Sequence, residues 1–410
     1  MQRVAIVGAG IGGLTTALML HQRGIKAVVV EQAVTLREVG VGINTLPHSI
    51  AELVNLGLLE RLDSVGLRIR ELRYLSHDGM EIWSELRGLH AGHEYPQFSF
   101  HRGRLQKLLL EAVFDRLGKD TVITGHALQG FVQDESGVIA HFVNMKDGIG
   151  SLQLRCEVLV CADGIHSVGR RKFYPEEGPP SWPGVMMWRG ATDWPVWEDG
   201  ATMAIAGGLA GKFVLYPIAP VKNGKQLMNW VVNVRMKDPN STPPPRESWS
   251  NHVSLAKVLP YAKRFRIPGV DIEALVRNTD KIFEYPMADR DPLPRWTFGR
   301  VTLLGDAAHP MYPVGSNGAA QSILDARSLA DHFMKASQPR EALYRYERDR
   351  LPKTAEIVYQ NRIGGPERVI DEVEKLAPGG FEDVNAVLSY DDRQAIVKSY
   401  AKLAGFSISK

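Results

Sequence analysis

The sequence predicts a mixed α/β fold: a parallel, helix-flanked sheet, an antiparallel sheet inserted into it, and helices at the C-terminal end. Three observations carry this expectation. A β-α-β pattern opens the chain around a glycine-rich turn. Composition shifts near residue 175 to Pro, Trp and Gly with strand-like runs. The α/β pattern then returns in RVTLLGDAAH at 300–309.

Residues 3–8 read as a buried strand and residues 11–23 as a helix, with Leu14, Ala17 and Leu18 packing back on that strand. The run KAVVVE at 26–31 is continuous and β-branched, as a strand covered on both faces must be. The stretch 101–117 has Leu105, Leu108, Leu109, Ala112, Val113 and Leu117 at helical spacing. Short strands are expected around 121–124, 127–133, 137–144 and 157–161. VMMWRGAT, KFVLYPI and MNWVVNVRM supply the inserted sheet, and helices follow at about 319–336 and 340–362. The expected partition is a discontinuous Rossmann-like domain (1–75, 96–175 and 275–365), a β-sheet domain (76–95 and 176–274) and a helical C-terminal segment (366–410), amphipathic in IVKSYAKLAGF. NSTPPPRES at 240–248 reads as a surface loop, too short to link domains.

Composition narrows the function classes. A net charge of +3, with Lys and Arg spread along the chain, offers no track for a nucleic-acid backbone. The first apolar stretch meets His21, Gln22 and Arg23 too soon for a membrane span, and a strand begins at residue 3 where a signal peptide would stand. The two cysteines, Cys156 and Cys161, are five apart in one strand-like run and should lie on opposite faces, unpaired. Two buried thiols fit a reducing, cytoplasmic setting. No metal constellation or hydrolase motif is present.

Three motifs carry chemistry. Gly8-Ala-Gly10-Ile-Gly-Gly13 is a G-x-G-x-x-G turn between strand and helix. Gly8 permits the tight turn, Gly10 lets a pyrophosphate approach the backbone, and Gly13 lets helix and strand pack closely. Glu31 ends the second strand, where a carboxylate accepts ribose hydroxyls. This motif alone does not separate FAD from NAD. The second motif, Gly305-Asp306 with the turn through Pro313 to Gly318, puts a carboxylate and backbone amides at a strand end. Asp306 there can accept a ribityl hydroxyl or simply cap a helix. The third, Asp163-Gly164 with Ser167 and Arg170, suits a tight turn; Ser167 can cap a helix, and Arg170 can pair with phosphate or with Asp163.

In this order and at these separations, the three motifs resemble the single-component FAD-dependent aromatic hydroxylases, the salicylate and hydroxybenzoate hydroxylase family. The resemblance covers roughly residues 3–365. It is nearer to the phenazine-modifying members through YPQFSFHRGRLQ (95–106), MMWRG (186–190), YPMADRDPLPRW (285–296) and GDAAHPMYPVGSNGAAQSILDA (305–326). It implies FAD and NAD(P)H as cofactors and hydroxylation of a planar aromatic ring, anionic or N-heteroaromatic, through a flavin C4a-hydroperoxide. A flavin-dependent dehydrogenase or oxidase of a small molecule is the alternative. The implied cofactor contacts are Gly8, Gly10, Gly13, Glu31, the Val41–Gly42 backbone, Arg102, Leu128, Asp163, Gly305, Asp306 and Gly318. An Arg at a helix start, as Arg102 is, opposes the helix dipole unless it faces an anion.

Trp188, Tyr216 and Pro313 are expected to wall the substrate pocket. Trp230 and Tyr285 are further candidates that serve equally well as core aromatics. Arg189 can take a substrate carboxylate or a structural ion pair. His309 is read as ordering its loop and His101 as a helix-start residue, so no catalytic residue is assigned. Departures from the hydroxybenzoate pattern are Asn317 for Gln, Ala320 for Asn, and Lys212 where relatives often carry a His. They argue against a simple hydroxybenzoate and against a His base. The expected assembly is a monomer or homodimer.

Overall fold

The computed structural model describes residues 2–38, 40–148, 150–237 and 252–407, so the loop expected at 240–248 lies outside the described residues. Strand β1 (Gln2–Val7), helix α1 (Ile11–Gln22) and strand β2 (Ala27–Val30) form the opening unit. β1 pairs in parallel with β2 on one side and with Ser151–Cys161 on the other. Ser151–Cys161 pairs in parallel with Val301–Leu303. Val4 to Val7 and Ala27 to Val30 are buried throughout, as strands covered on both faces are.

This order has a direct consequence for the site. The glycine turn follows β1, the Asp163 turn follows Ser151–Cys161, and the Gly305 turn follows Val301–Leu303. Three adjacent parallel strands therefore deliver three motifs, far apart in sequence, to one edge of one sheet. Ligands of open parallel sheets bind beyond such carboxyl ends.

A second sheet of seven strands runs in the order Phe283–Pro286, Val185–Pro195, Lys225–Arg235, Gly211–Pro217, Thr202–Ala206, Glu71–Leu75, Glu81–Leu86. Its pairs are antiparallel except for Thr202–Ala206 with Glu71–Leu75. Two of its strands correct the expected partition. Glu71–Leu75 was assigned to the first domain within 1–75, and Phe283–Pro286 within 275–365. Both pair into the second sheet, where the chain enters and leaves it. Composition marks the bulk of an insertion but not the crossing strands that satisfy its edges.

One face of this sheet, with Trp188, Phe213, Leu215 and Trp230, packs on Val258, Leu259, Leu275 and Val276 of the helices Leu255–Ala262 and Ile272–Arg277. The C-terminal helices Arg368–Leu376 and Tyr390–Leu403 fold back over the molecule. Val369, Ile370, Val373 and Val397 pack on Ile69, Tyr74 and Ile218, and Tyr400 and Phe406 cluster with Leu46, Ala320 and Ile357. Cys156 and Cys161 are free and buried. Burial pushes both thiols up, that of Cys156 to about 12, so neither is a ready nucleophile. Among the described residues, no helix is long and apolar enough to cross a membrane, and no group of His, Cys, Asp or Glu could hold a metal ion.

Candidate active site

One cavity of about 920 Å³ reaches from the glycine turn to the inner face of the second sheet. Its dinucleotide end is shaped by close backbone approach. Gly8 sits at φ +102°, where a Cβ would lie 2.5 Å from the Ala162 carbonyl oxygen. At Gly13 a Cβ would lie 2.0 Å from the Gly8 carbonyl oxygen, so any side chain there would push α1 off β1. A Cβ on Gly10 would meet nothing within 4 Å, which leaves open space at the start of α1. No side chain caps this helix and its first turn holds no acid. The unpaired N–H groups and about half a positive charge of the dipole therefore face the cavity. Glu31 accepts hydrogen bonds from Ala9 N at 2.8 Å with Oε2 and from Ala33 N at 2.8 Å with Oε1. It braces the turn while each oxygen keeps a lone pair.

The helix Gly318–Lys335 repeats the arrangement, with no side-chain cap, no acid in its first turn and Gly318 bare toward the cavity. Asp306 lines the same cavity as the two helix starts and is exposed into it. It caps no helix. The protein around it pushes its carboxyl up, against the pull of His309 and Arg102. Arg102 lines the same space, and burial lowers its guanidinium pKa against the pull of Asp306. Its backbone N–H donates to the Val41 carbonyl at 2.9 Å, tying the VGVGI loop to the helix Arg102–Leu117.

Asp163 accepts from Val168 N at 2.7 Å through Oδ2, while its Oδ1 is buried without a hydrogen-bond partner. A buried carboxylate oxygen left unmatched suits a ligand hydroxyl. Ser167 caps the helix Val168–Phe173, accepting from Arg170 N at 3.1 Å. Arg170 departs from the expected phosphate or Asp163 pairing. Its guanidinium donates to the carbonyls of Ala308 at 2.8 Å and Asp291 at 2.9 Å and pairs with Glu177, clamping the Asp163 turn to the Gly305 turn.

Behind Gly305 stands a charged group that sequence reasoning missed. Asp325 accepts from Gly305 N at 3.1 Å, meets His309 Nε2 at 2.5 Å and accepts from Arg350 Nε at 2.7 Å. Burial raises its carboxyl, but His309 and Arg350 more than offset that, holding it down at about 2. His309 thus orders the loop, as expected of it. The signal for Asp325 lay only in its helical spacing within QSILDA.

The floor of the far end is the inner face of the second sheet, and its register can be read off in rungs. Met187, Asn233 and Lys212 form one, Arg189, Val231 and Val214 the next, and Ala191, Asn229 and Tyr216 the third. Tyr216, Tyr285 and Pro313 line the cavity, as do Arg189 and Lys212. Trp188 does not. Strand alternation turns it to the opposite face, where it is fully buried, stacks on Tyr261 at 5.0 Å and donates to Glu284 Oε2 at 2.7 Å. Its neighbours Met187 and Arg189 take the cavity face instead. Trp230 is likewise core, donating to Thr279 at 2.8 Å.

Leu128 and Val41 stand outside the lining, their side chains buried in core clusters. Gly42 lines it, and a Cβ there would meet the Tyr216 ring at 2.6 Å. Lys212 is buried and ion-paired with Glu367 of the C-terminal segment. Glu367, Val397, Ala401 and Phe406 close the cavity. The amphipathic spacing in IVKSYAKLAGF gave a packed helix that could cap the fold or form a dimer contact, but not this place for it.

The donor set fits a flavin dinucleotide. Two uncapped helix starts and Arg102 suit its diphosphate, and Asp306 and the unmatched Asp163 oxygen suit its hydroxyls. Residues 1–361 match the model of a family described as FAD binding domain. A phenazine 1,6-dicarboxylic acid hydroxylase of Lysobacter antibioticus is 46% identical over 364 residues, covering 88% of this chain and 89% of its own. A 3-hydroxybenzoate 6-hydroxylase of Aquipseudomonas alcaligenes is 30% identical, covering 88% and 87%. The crystal structure of HpxO of Klebsiella pneumoniae, complexed with FAD and uric acid, superposes with a TM-score of 0.73 at 21% identity, over 98% of this chain and 96% of that one.

Proposed function

The chain belongs to the FAD-binding domain family of flavoprotein monooxygenases, and from that premise we propose that it hydroxylates a planar, anionic aromatic ring of the phenazine kind at the expense of NAD(P)H and O2. The observation that carries the reading is a single cavity shared by Asp306, the two uncapped helix starts and the Tyr216–Arg189 floor. Cofactor and ring therefore meet in one enclosure.

Gly10 and Gly318 would receive the diphosphate between helix dipoles, with Arg102 as counter-charge. Asp306 and Asp163 would accept the hydroxyls of the cofactor's sugar and ribityl portions, and Glu31 those of the ribose. Gly8, Gly13 and Gly305 shape the backbone for this approach, and Val41, Gly42 and Leu128 are the remaining proposed contacts. Bound FAD supplies the redox chemistry, accepting reducing equivalents from NAD(P)H and activating O2. The protein orients the ring and keeps water out. Tyr216 and Tyr285 stay neutral, since burial raises both phenols against the pull of Arg189. They can stack on or hydrogen-bond the substrate. The C-terminal segment seals the far end with Phe406 and Val397.

The 46% identical relative is named for a phenazine dicarboxylic acid, and a tricyclic ring fits a cavity of this size. Two buried free thiols support a cytoplasmic setting. The test is NADH or NADPH oxidation and O2 uptake with phenazine carboxylates and hydroxybenzoates, with product mass. We expect phenazine carboxylates to accelerate both and to yield a product heavier by one oxygen. Flavin reduction by the aromatic compound alone, without NAD(P)H, would instead favour a dehydrogenase.

A further inference from the structure

Sulfur is unevenly placed around the cavity. Cys156 and Cys161 lie away from it, in the core that holds β1. Among the described residues, four of the chain's 12 methionines line it: Met187, Met203, Met287 and Met311. The oxidisable sulfur facing this enclosure is thioether alone.

The four are not equivalent. Met203 Sδ already accepts from Gln97 Nε2 at 3.7 Å, and Met287 packs among Val185, Tyr312 and Val314. Met311 packs toward the C-terminal cluster with Tyr400 and Phe406. Met187 stands on the floor itself, beside the Arg189 rung and directly across a strand pair from Tyr285. It is only 7% exposed, yet it lines the cavity. An oxidant in bulk solvent therefore reaches it poorly, and one formed inside reaches it first. Met145, Met236 and Met334, at 50%, 40% and 60% exposure, have the opposite access.

We propose that Met187 is a self-oxidation site: hydrogen peroxide formed inside the cavity converts its thioether to the sulfoxide and so limits the working life of the ring site. The co-reactant is the two-electron reduction product of O2, formed when reducing equivalents arrive and no ring takes up the oxygen. The sulfur attacks one peroxide oxygen with a lone pair. An S–O bond forms, the O–O bond breaks, and the departing hydroxide takes the proton of the transferred oxygen and leaves as water. Sulfur loses two electrons and the peroxide gains them. Burial raises the Tyr285 phenol, which keeps an O–H to donate toward the departing oxygen. The sulfoxide then puts a polar group among Val41, Val231 and Tyr285, on a floor that suits an apolar ring. A bound ring covers that floor and protects it.

This inference rests on the proposed oxygen chemistry, and two ways of delivering electrons separate the two. FAD-loaded protein is cycled in air with catalase present, once with NADH or NADPH and once with stoichiometric portions of dithionite. Catalase removes peroxide that reaches the bulk. Methionine peptides are then weighed by mass spectrometry. In both arms Met187 should gain one oxygen about tenfold faster than Met145, Met236 and Met334. Phenazine-1-carboxylate should suppress that gain. Its affinity, followed by flavin absorbance, should fall by about threefold or more as the sulfoxide accumulates. In M187L, which keeps the side-chain volume, the affinity should hold through the same cycles.

Oxygen gained only at the exposed methionines, or at Met187 only in step with them, overturns the proposal. So does an affinity unchanged at full Met187 oxidation, or one lost equally in M187L. Equal oxidation of Met19 and Met228, which lie in the cores, would mean unfolding and overturns it as well. NAD(P)H-driven O2 uptake with Met187 intact removes this inference and keeps the oxygenase reading. If dithionite cycles mark Met187 while neither nicotinamide reduces the flavin, the NAD(P)H-dependent reading falls and this one stands.

Discussion

At the residue scale, the account turns on carboxylates placed for different work. Asp306 lines the open cavity, so D306A removes an acceptor for the cofactor together with the carboxylate whose pull offsets the burial of Arg102. We expect FAD affinity to fall roughly 10- to 100-fold, measured by flavin fluorescence titration. Asp325 is the opposite case. It holds Gly305 N, His309 and Arg350 in a buried cluster. D325N leaves Arg350 without its carboxylate, and unfolding in urea should show a loss of about 3–5 kcal/mol. The sign of its pH dependence follows from the same contacts. The folded carboxyl sits at about 2, below the usual 3.8. Its contribution is therefore fully present above the unfolded value and is lost as pH falls toward 2. Acid titration of stability should lose that increment in D325N.

At the element scale, strand alternation decides which inserted residues face the cavity. Trp188 and Arg189 are adjacent in sequence and lie on opposite faces. W188A should cost about 3–5 kcal/mol of stability through the hole left against Tyr261 and the helices, with ring affinity falling only as the fold loosens. The same alternation explains what was legible. The glycine turn and both Gly-Asp-type turns announced themselves because their backbone geometry demands particular residues at particular places. Tyr216 and Pro313, expected as aromatic and loop residues near those motifs, line the cavity. Trp188 was misplaced because WRG gives no phase when both faces of a strand are buried. The Met187–Asn233–Lys212 rung was invisible, because register is a property of pairing and not of any one segment.

At the scale of the whole molecule, the parallel sheet gathers three distant motifs, the second sheet supplies the floor, and the C-terminal segment closes the space. The first was legible, since three strand-to-turn patterns in one chain point to one sheet edge. The last was not, because amphipathic spacing in 396–406 says that a helix packs but not where. Polar contacts help to hold this closure. Tyr400 Oη meets Asn317 Nδ2 at 2.9 Å and Asn361 Oδ1 at 2.7 Å, and Lys212 pairs with Glu367. K212M alone strands Glu367 and should cost about 3–5 kcal/mol, whereas K212M with E367L should recover most of it. A urea-melt double-mutant cycle checks this.

The central claim is that the cavity joining Gly10, Asp306 and Arg189 holds one FAD beside one aromatic ring. Its most direct test is the visible spectrum of the purified protein, recorded with excess FAD removed. The account predicts a yellow protein with one flavin per chain, whose bands shift when phenazine-1-carboxylate is added. A protein that stays colourless after incubation with FAD would contradict it.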